Sequence, residues 1–211
     1  MILSVISQKG GTGKTTVALN VAACAAQKKL RTLLIDADEQ GSSLAWAEMR
    51  EQEPLFSVVG MPKATIHKEL PSIAKDYDLC VLDGPPRLQK IARSAIAASD
   101  GVLIPVGPSP LDLWAVEEMV ELLEEVSEFH EVKSAFVMNK KITGTAISKG
   151  VQQGLREFDV PLLKASLSQR VAFAEAAASG LSVSEYEPKS KATTEAKKLT
   201  NEVMKWLNLS R

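Results

Sequence analysis

Nine residues near the start of the chain, Gln8-Lys9-Gly10-Gly11-Thr12-Gly13-Lys14-Thr15-Thr16, bring together three glycines, two lysines and three hydroxyls. They follow the apolar run 2–6 and lead into the helical run VALNVAACAA. A glycine-rich turn that opens a helix lets backbone N–H groups close around a phosphate chain, and the helix start adds a potential that favours negative charge. Gly10, Gly11 and Gly13 leave room for that approach, and Thr12 and Thr16 complete the loop. Lys14 can then reach β- and γ-phosphate oxygens, while the Thr15 hydroxyl can ligate the Mg²⁺ that bridges them. Strand, loop and helix stand in the order this chemistry requires, so a nucleoside triphosphate with Mg²⁺ is the expected ligand.

Two acidic junctions could serve the same phosphates. The run RTLLID ends in Asp36-Ala37-Asp38-Glu39-Gln40-Gly41, and two carboxylates two residues apart at a strand's carboxyl end can divide the work on metal and water. Tyr77-Asp78-Leu79-Cys80-Val81-Leu82-Asp83-Gly84-Pro85-Pro86 reads as a buried strand ending in a lone acid, the Walker B form. Asp83 would reach Mg²⁺ through a water and Thr15. In AFVMN, Asn139 closes a strand, where its amide either pairs with an adenine edge or caps the turn that follows. Pro105, Pro108 and Pro110 stiffen a further loop ahead of Asp112, the expected cap of the next helix.

These groups need a frame that gathers strand ends. Short apolar runs at 2–7, 31–36, 55–59, 78–83, 101–106, 133–138 and 160–164 alternate with helical patterns. That alternation predicts an α/β domain: a mostly parallel, twisted sheet of about seven strands with helices on both faces. Val17, Leu19, Val21 and Ala22 carry helical spacing, as do Leu113, Val116, Val120 and Leu123. Ligands in such sheets gather beyond the carboxyl ends of the strands, where the three loops lie.

Composition sets the limits. With 211 residues, 45% hydrophobic and 24% charged, one core can hide roughly 70% of the unfolded surface without disulfide or metal staples. Disorder and collagen-like repeats are excluded, and the apolar runs fall short of the roughly 20 positions that a spanning helix needs. No leader precedes the first strand, so a cytosolic protein is expected, with 1–211 as one domain. Cys24 and Cys80 read as small buried hydrophobes, and His67 and His130 lack zinc-spaced partners. The net charge of −1 hides a split: residues 1–130 hold 12 Lys+Arg against 18 Asp+Glu, and 131–211 hold 13 against 8. Glu117, Glu118, Glu121, Glu124, Glu125 and Glu128 form a solvated helix face. Charge alone does not identify a domain so near neutrality as nucleic-acid binding.

Gln8 stands where the general phosphate-loop formula has glycine, and a second lysine, Lys9, precedes Gly10. In KGGTGKT the chain resembles the ParA/MinD family of deviant Walker A ATPases, over nearly its whole length. The stretch IPVGPSPLD at 104–112 is similar to the short, ParF-like plasmid-partition members. The resemblance implies a single-domain P-loop NTPase that takes ATP with Mg²⁺ and has no N-terminal helix-turn-helix. It implies an ATP-driven sandwich homodimer in which Lys9 of each subunit crosses to the other's nucleotide, a lysine in the role of an arginine finger. By the same pattern Asp36 holds a Mg²⁺-bound water, Asp38 orients the attacking water, and Asn139 meets the adenine. Lys9, Lys14 and Asp38 are then the catalytic groups.

The function so implied is DNA segregation, by an enzyme that is cytoplasmic and nucleoid-associated. The dimer binds nonspecific DNA, and slow hydrolysis, stimulated by a ParB- or ParG-like centromere-binding adaptor, releases it. Candidate DNA contacts in the basic C-terminal part are Lys164, Arg170, Lys189 and Lys191, with Ser168 as the expected cap of a helix through 171–178. Each would neutralise about one phosphate, so a dimer presenting two patches gains by avidity. Two positions depart from the family: Glu39 where proline is usual, and Gly84 where many relatives carry threonine. Two other classes compete. Leu199, Val203, Trp206 and Leu207 can share an apolar face that would bind a membrane, as in MinD-like positioning ATPases, although final helices of such domains usually pack on the sheet. A metabolic ATP-dependent ligase of the same phosphate-loop group would not need Lys9 in trans.

Overall fold

The computed structural model describes residues 1–85 and 90–209. Pro86, the last residue of the second acidic junction, lies outside the described residues. The strands are β1 (Ile2–Val5), β2 (Thr32–Asp36), β3 (Ser57–Gly60), β4 (Leu79–Asp83), β5 (Gly101–Val106) and β6 (Lys133–Met138). They pair in parallel in the order β3-β2-β4-β1-β5-β6. The helices are α1 (Lys14–Gln27), α2 (Ser42–Glu48), α3 (Ile66–Ile73), α4 (Lys90–Ala97), α5 (Pro110–Ser127), α6 (Ala146–Leu155), α7 (Val171–Ala178), α8 (Val183–Tyr186) and α9 (Lys191–Trp206).

Period-two alternation divides the central strands between two cores. Ile2, Ile6, Leu33, Ile35, Leu82, Val102, Ile104 and Phe136 face α3, α4, α5 and α6. Leu3, Val5, Leu34, Val81, Leu103 and Val137 face α1 and α9. Helix α1 is apolar around most of its circumference because it lies between the sheet and α9. Both cysteines are buried, and burial pushes the Cys80 thiol up to about 11.

The face of α9 formed by Leu199, Val203 and Leu207 is buried in the second core. Turning these three side chains out to lipid would strip the cover from the apolar residues of α1 and the sheet against which they pack, at a cost of several kcal/mol in lost core packing. Among the described residues no helix is long and apolar enough to cross a membrane.

Three local expectations need correction. The seventh strand at 160–164 is reduced to a single bridge between Phe136 and Leu162. Pro161 has no N–H for a ladder, and the N–H groups of Lys164 and Ala165 donate instead to the Glu202 carboxylate of α9 (2.9 and 2.7 Å). Asp112 does not cap α5: Ser109 does, accepting from Leu111 N–H, because Pro110 takes the first helical position. Ser168 does not cap α7; its N–H and hydroxyl donate to Glu195 (3.0 and 2.9 Å), and Arg170 occupies the cap position. The sheet's two rims differ as a result. Beyond β6 runs the bridged 160–168 segment, whereas β3, four residues long and mostly exposed, ends the other side.

Candidate active site

β1 delivers the phosphate loop, and α1 begins at Lys14. Gly11 and Gly13 have φ of 79° and 86°, a region costly for residues with a Cβ. A Cβ on Gly13 would lie 2.1 Å from Asn139 Nδ2. Asn139, only 2% exposed at the end of β6, donates from Nδ2 to the carbonyls of Thr12 (2.7 Å) and Gly13 (3.5 Å). It therefore buttresses the loop, and its donor is engaged there before any base arrives. Lys140, unassigned from sequence, does similar work: Nζ donates to the Gly11 carbonyl at 2.8 Å. Beside Thr16 and Asn139 opens a cleft of about 440 Å³, closed by Val171, Phe173 and Ala174 of α7, a volume suited to a nucleoside.

Lys14 is 7% exposed. Burial pushes its ammonium below the ordinary lysine value, while the charges of Asp83 and Asp38 pull it back. Both acids belong to the junctions read from sequence, and the register sets Asp36 directly opposite Asp83 on neighbouring strands. Asp36 is fully buried; Oδ1 accepts from Asp38 N–H (3.1 Å), and Oδ2 accepts from Ser43 N–H (2.8 Å) and Leu44 N–H (3.0 Å). Asp36 thus shapes the loop that carries Asp38. Asp38 closes a tight turn by accepting from Gln40 N–H at 3.0 Å, and Glu39, exposed on that turn, keeps its extra charge in solvent.

Asp83 Oδ2 accepts from the Ser43 hydroxyl at 2.8 Å, whereas Oδ1 is buried with no hydrogen-bond partner. Burial raises this carboxyl to about 6, against the pull of Thr15, Ser43 and Lys14 and with a push from Asp36. An orphaned buried oxygen beside a threonine hydroxyl fits Mg²⁺, which keeps several waters and takes one or two carboxylates plus phosphate oxygens. Among the described residues there is no cluster of three or more His, Cys, Asp or Glu side chains, so a cage for a softer or larger ion is absent there. Thr15 and Asp83 would hold Mg²⁺, with Asp36 behind them, and the ion would neutralise charge on the phosphate oxygens. Lys14 would meet those oxygens from the loop side, and Asp38 would be the group to orient a water.

Asp83 has a pH signature. Its folded pKa lies above the ordinary 3.8, so the folded state holds the proton more tightly. The destabilisation is absent below about pH 4 and complete above about pH 6, where it reaches about 3 kcal/mol. Without Mg²⁺, Asp83→Asn should be more stable than wild type at pH 7.5 in urea unfolding, and the advantage should vanish by pH 4. A pH-independent difference would refute this origin.

Gly84 explains one departure from the family pattern. A Cβ there would lie 2.7 Å from Ile6 Cγ1 and 2.9 Å from the Val5 carbonyl oxygen, so a threonine does not fit. Gly84→Thr should cost about 1–3 kcal/mol in chemical denaturation; an unchanged midpoint would show that β1 yields easily.

The residues just upstream of the glycines turn away from this cradle. Lys9 Nζ pairs with Asp112 Oδ1 at 2.5 Å, with side chains 37% and 11% exposed, and Gln8 Nε2 donates to Glu118. Both partners sit on α5. Of the basic C-terminal candidates, Arg170 is forked onto Glu195 (3.1 and 2.7 Å) and shares a polar cleft with Lys191, while Lys164 and Lys189 are exposed elsewhere. Ser43, which touches both strand-end acids, escaped the sequence reading; its one signal is a hydroxyl at a helix start right after an acidic turn.

A glycine loop opening a helix, a buried lysine and two strand-end acids define a phosphate-loop nucleotide-binding protein. Residues 3–183 match the CobQ/CobB/MinD/ParA nucleotide binding domain, and the chain belongs to that family. It is 31% identical to the maintenance of carboxysome distribution protein A of Halothiobacillus neapolitanus, over 96% of this chain and 95% of that one. It is 28% identical to the chromosome-partitioning ATPase Soj of Thermus thermophilus, over 96% and 94%. The fold matches the septum site-determining protein MinD of Pyrococcus horikoshii, complexed with Mg-ADP, with a TM-score of 0.79 at 21% identity, over 100% and 98% of the two chains. The protein is a ParA/MinD-type ATPase, and its phosphate loop, with Thr15 and the orphaned Asp83 oxygen, fits ATP with Mg²⁺.

Proposed function

We propose that ATP joins two copies of this chain, each a single ParA-like unit spanning 1–211, into a sandwich homodimer that binds nonspecific DNA. Slow hydrolysis, stimulated by a ParB- or ParG-like adaptor, releases it, which is the cycle of a DNA-segregation ATPase working in the cytoplasm on the nucleoid. The observation that supports this most is Lys9. Lys14 already supplies the cation of its own loop, whereas Lys9 is partly exposed and held by an ion pair to Asp112 at the start of α5, from which it would swing to reach a neighbour's phosphates. A cation placed against the charge that grows as the β–γ bond breaks accelerates hydrolysis only when the second subunit is present.

Light scattering tests the pairing. Wild type should shift to a dimer with saturating Mg-AMPPNP and bind random-sequence duplex DNA with a steep salt dependence. Lys9→Ala should stay monomeric, bind nucleotide within a few-fold of wild type, and lose DNA retention. A wild-type monomer under saturating AMPPNP would sink the reading.

A protein cargo is the second reading, favoured by the likeness to a protein named for carboxysome distribution. The two cargoes separate on the adaptor: one binds a specific DNA site, the other a protein assembly. Membrane attachment is disfavoured by the burial of Leu199, Val203 and Leu207.

A further inference from the structure

Helix α2 is fastened at both ends by buried polar contacts. At its start Ser43, fully buried, donates its N–H to Asp36 Oδ2 and its hydroxyl to Asp83 Oδ2, both at 2.8 Å. One residue thereby grips both metal-site acids. Towards the other end the Trp46 indole N–H donates to the Leu181 carbonyl at 3.2 Å. Arg50, just past the helix and with its side chain 5% exposed, forks onto Glu185 at 2.5 and 3.3 Å and donates to the Gly180 carbonyl at 3.3 Å.

The turn between α7 and α8 leaves no slack against this end. Gly180 has φ of 64°, and a Cβ on it would lie 2.6 Å from the Arg50 nitrogen. Glu185 also accepts from Ser182 N–H and Oγ (3.0 and 2.7 Å), so the group that receives Arg50 is the one that starts α8. Interiors packed this closely transmit a displacement instead of absorbing it. A shift of Ser43 with the acids must be answered at Trp46 and Arg50.

We propose that α2 is a strut linking the Asp36–Asp83 pair to the α7–α8 corner, with Ser43, Trp46 and Arg50 as positioning residues. Engagement of Mg²⁺ and the γ-phosphate at one end sets the packing of the corner at the other. Lys189 and Lys191 lie directly beyond α8, so the strut carries nucleotide state toward the basic end of the chain. Coupling of this kind is reciprocal: loosening the corner must weaken metal engagement at the acids. The proposal rests on ATP and Mg²⁺ at this site and on neither the dimer nor DNA.

Hydrogen exchange on the full chain tests it, comparing Mg-ADP with Mg-AMPPNP. Base and ribose are common to both ligands, so a difference at 179–186 reports the metal and γ-phosphate end, not the cleft beside α7. In wild type, amides at 179–186 should exchange about fivefold more slowly with Mg-AMPPNP, within the usual range of coupling between sites. In Trp46→Phe/Arg50→Lys that difference should vanish. The Mg²⁺ concentration needed for half-maximal AMPPNP retention should rise about fivefold, with Mg²⁺-free AMPPNP affinity unchanged. A melting curve verifies the fold, and Trp46→Phe alone serves if the double variant melts low. Wild-type exchange indifferent to the γ-phosphate would overturn the proposal. So would a variant that keeps the corner response and the Mg²⁺ requirement; persistence in a variant that still dimerises by light scattering would assign the response to the dimer face.

Discussion

Lys14→Ala should abolish ATP binding, weakening it about a thousandfold in isothermal titration calorimetry. The ammonium lies buried in the loop, where its charge balances Asp83 and Asp38. Without it the incoming phosphates face two carboxylates with no intervening cation. A unit charge at 4 Å and an effective dielectric of 20 is worth about 4 kcal/mol, and each 1.4 kcal/mol is tenfold in affinity. Lys14→Met keeps the buried stem and should fail equally, separating charge from packing. Binding within tenfold of wild type in either variant would show that the backbone N–H groups of the loop suffice.

Asp38→Ala should leave ATP bound and unhydrolysed, with single-turnover hydrolysis slowed by about 10²–10⁴, the usual worth of a positioned acid–base group. The Asp38 carboxylate carries one local contact, from Gln40 N–H, whereas Asp36 receives the N–H groups of Asp38, Ser43 and Leu44, so removing the Asp38 carboxylate leaves the loop anchored through Asp36. The γ-phosphate then persists, and under the proposed cycle so does the dimer. Asp36→Ala should behave differently, losing the loop and Mg²⁺ dependence together. Hydrolysis by the Asp38 variant at the wild-type rate would remove Asp38 from the chemistry.

The phosphate loop was legible because its chemistry is local: glycines, lysine and hydroxyls follow one another between a strand and a helix, so spacing alone specifies the cradle. The layers were legible because β1, β2 and β4 are short, continuous apolar runs, buried throughout, that alternate with helical segments along the chain. Contacts between distant segments were not. The Lys9–Asp112 pair spans 103 positions, and nothing in either neighbourhood names the other. Asp112 in a helix's first turn looks like a cap until Ser109 is seen to take that place ahead of Pro110. The run 160–164 has the apolar character of a strand, yet Pro161 and the pull of Glu202 decide against one. Ser43 and Lys140 carry common surface residue types, and only the return of the chain to the strand ends gives them work.

The unequal rims of the sheet bear on how the protein behaves in crowded solution. One margin is shielded by the chain that follows β6; the other, Ser57-Val58-Val59-Gly60, has no charged residue to discourage a stranger from zipping onto it. Exposed strand margins are templates for unwanted growth. Self-association during synthesis or heating should therefore begin at β3, and a lysine in place of Val59 is the modest change that would keep the chain in solution.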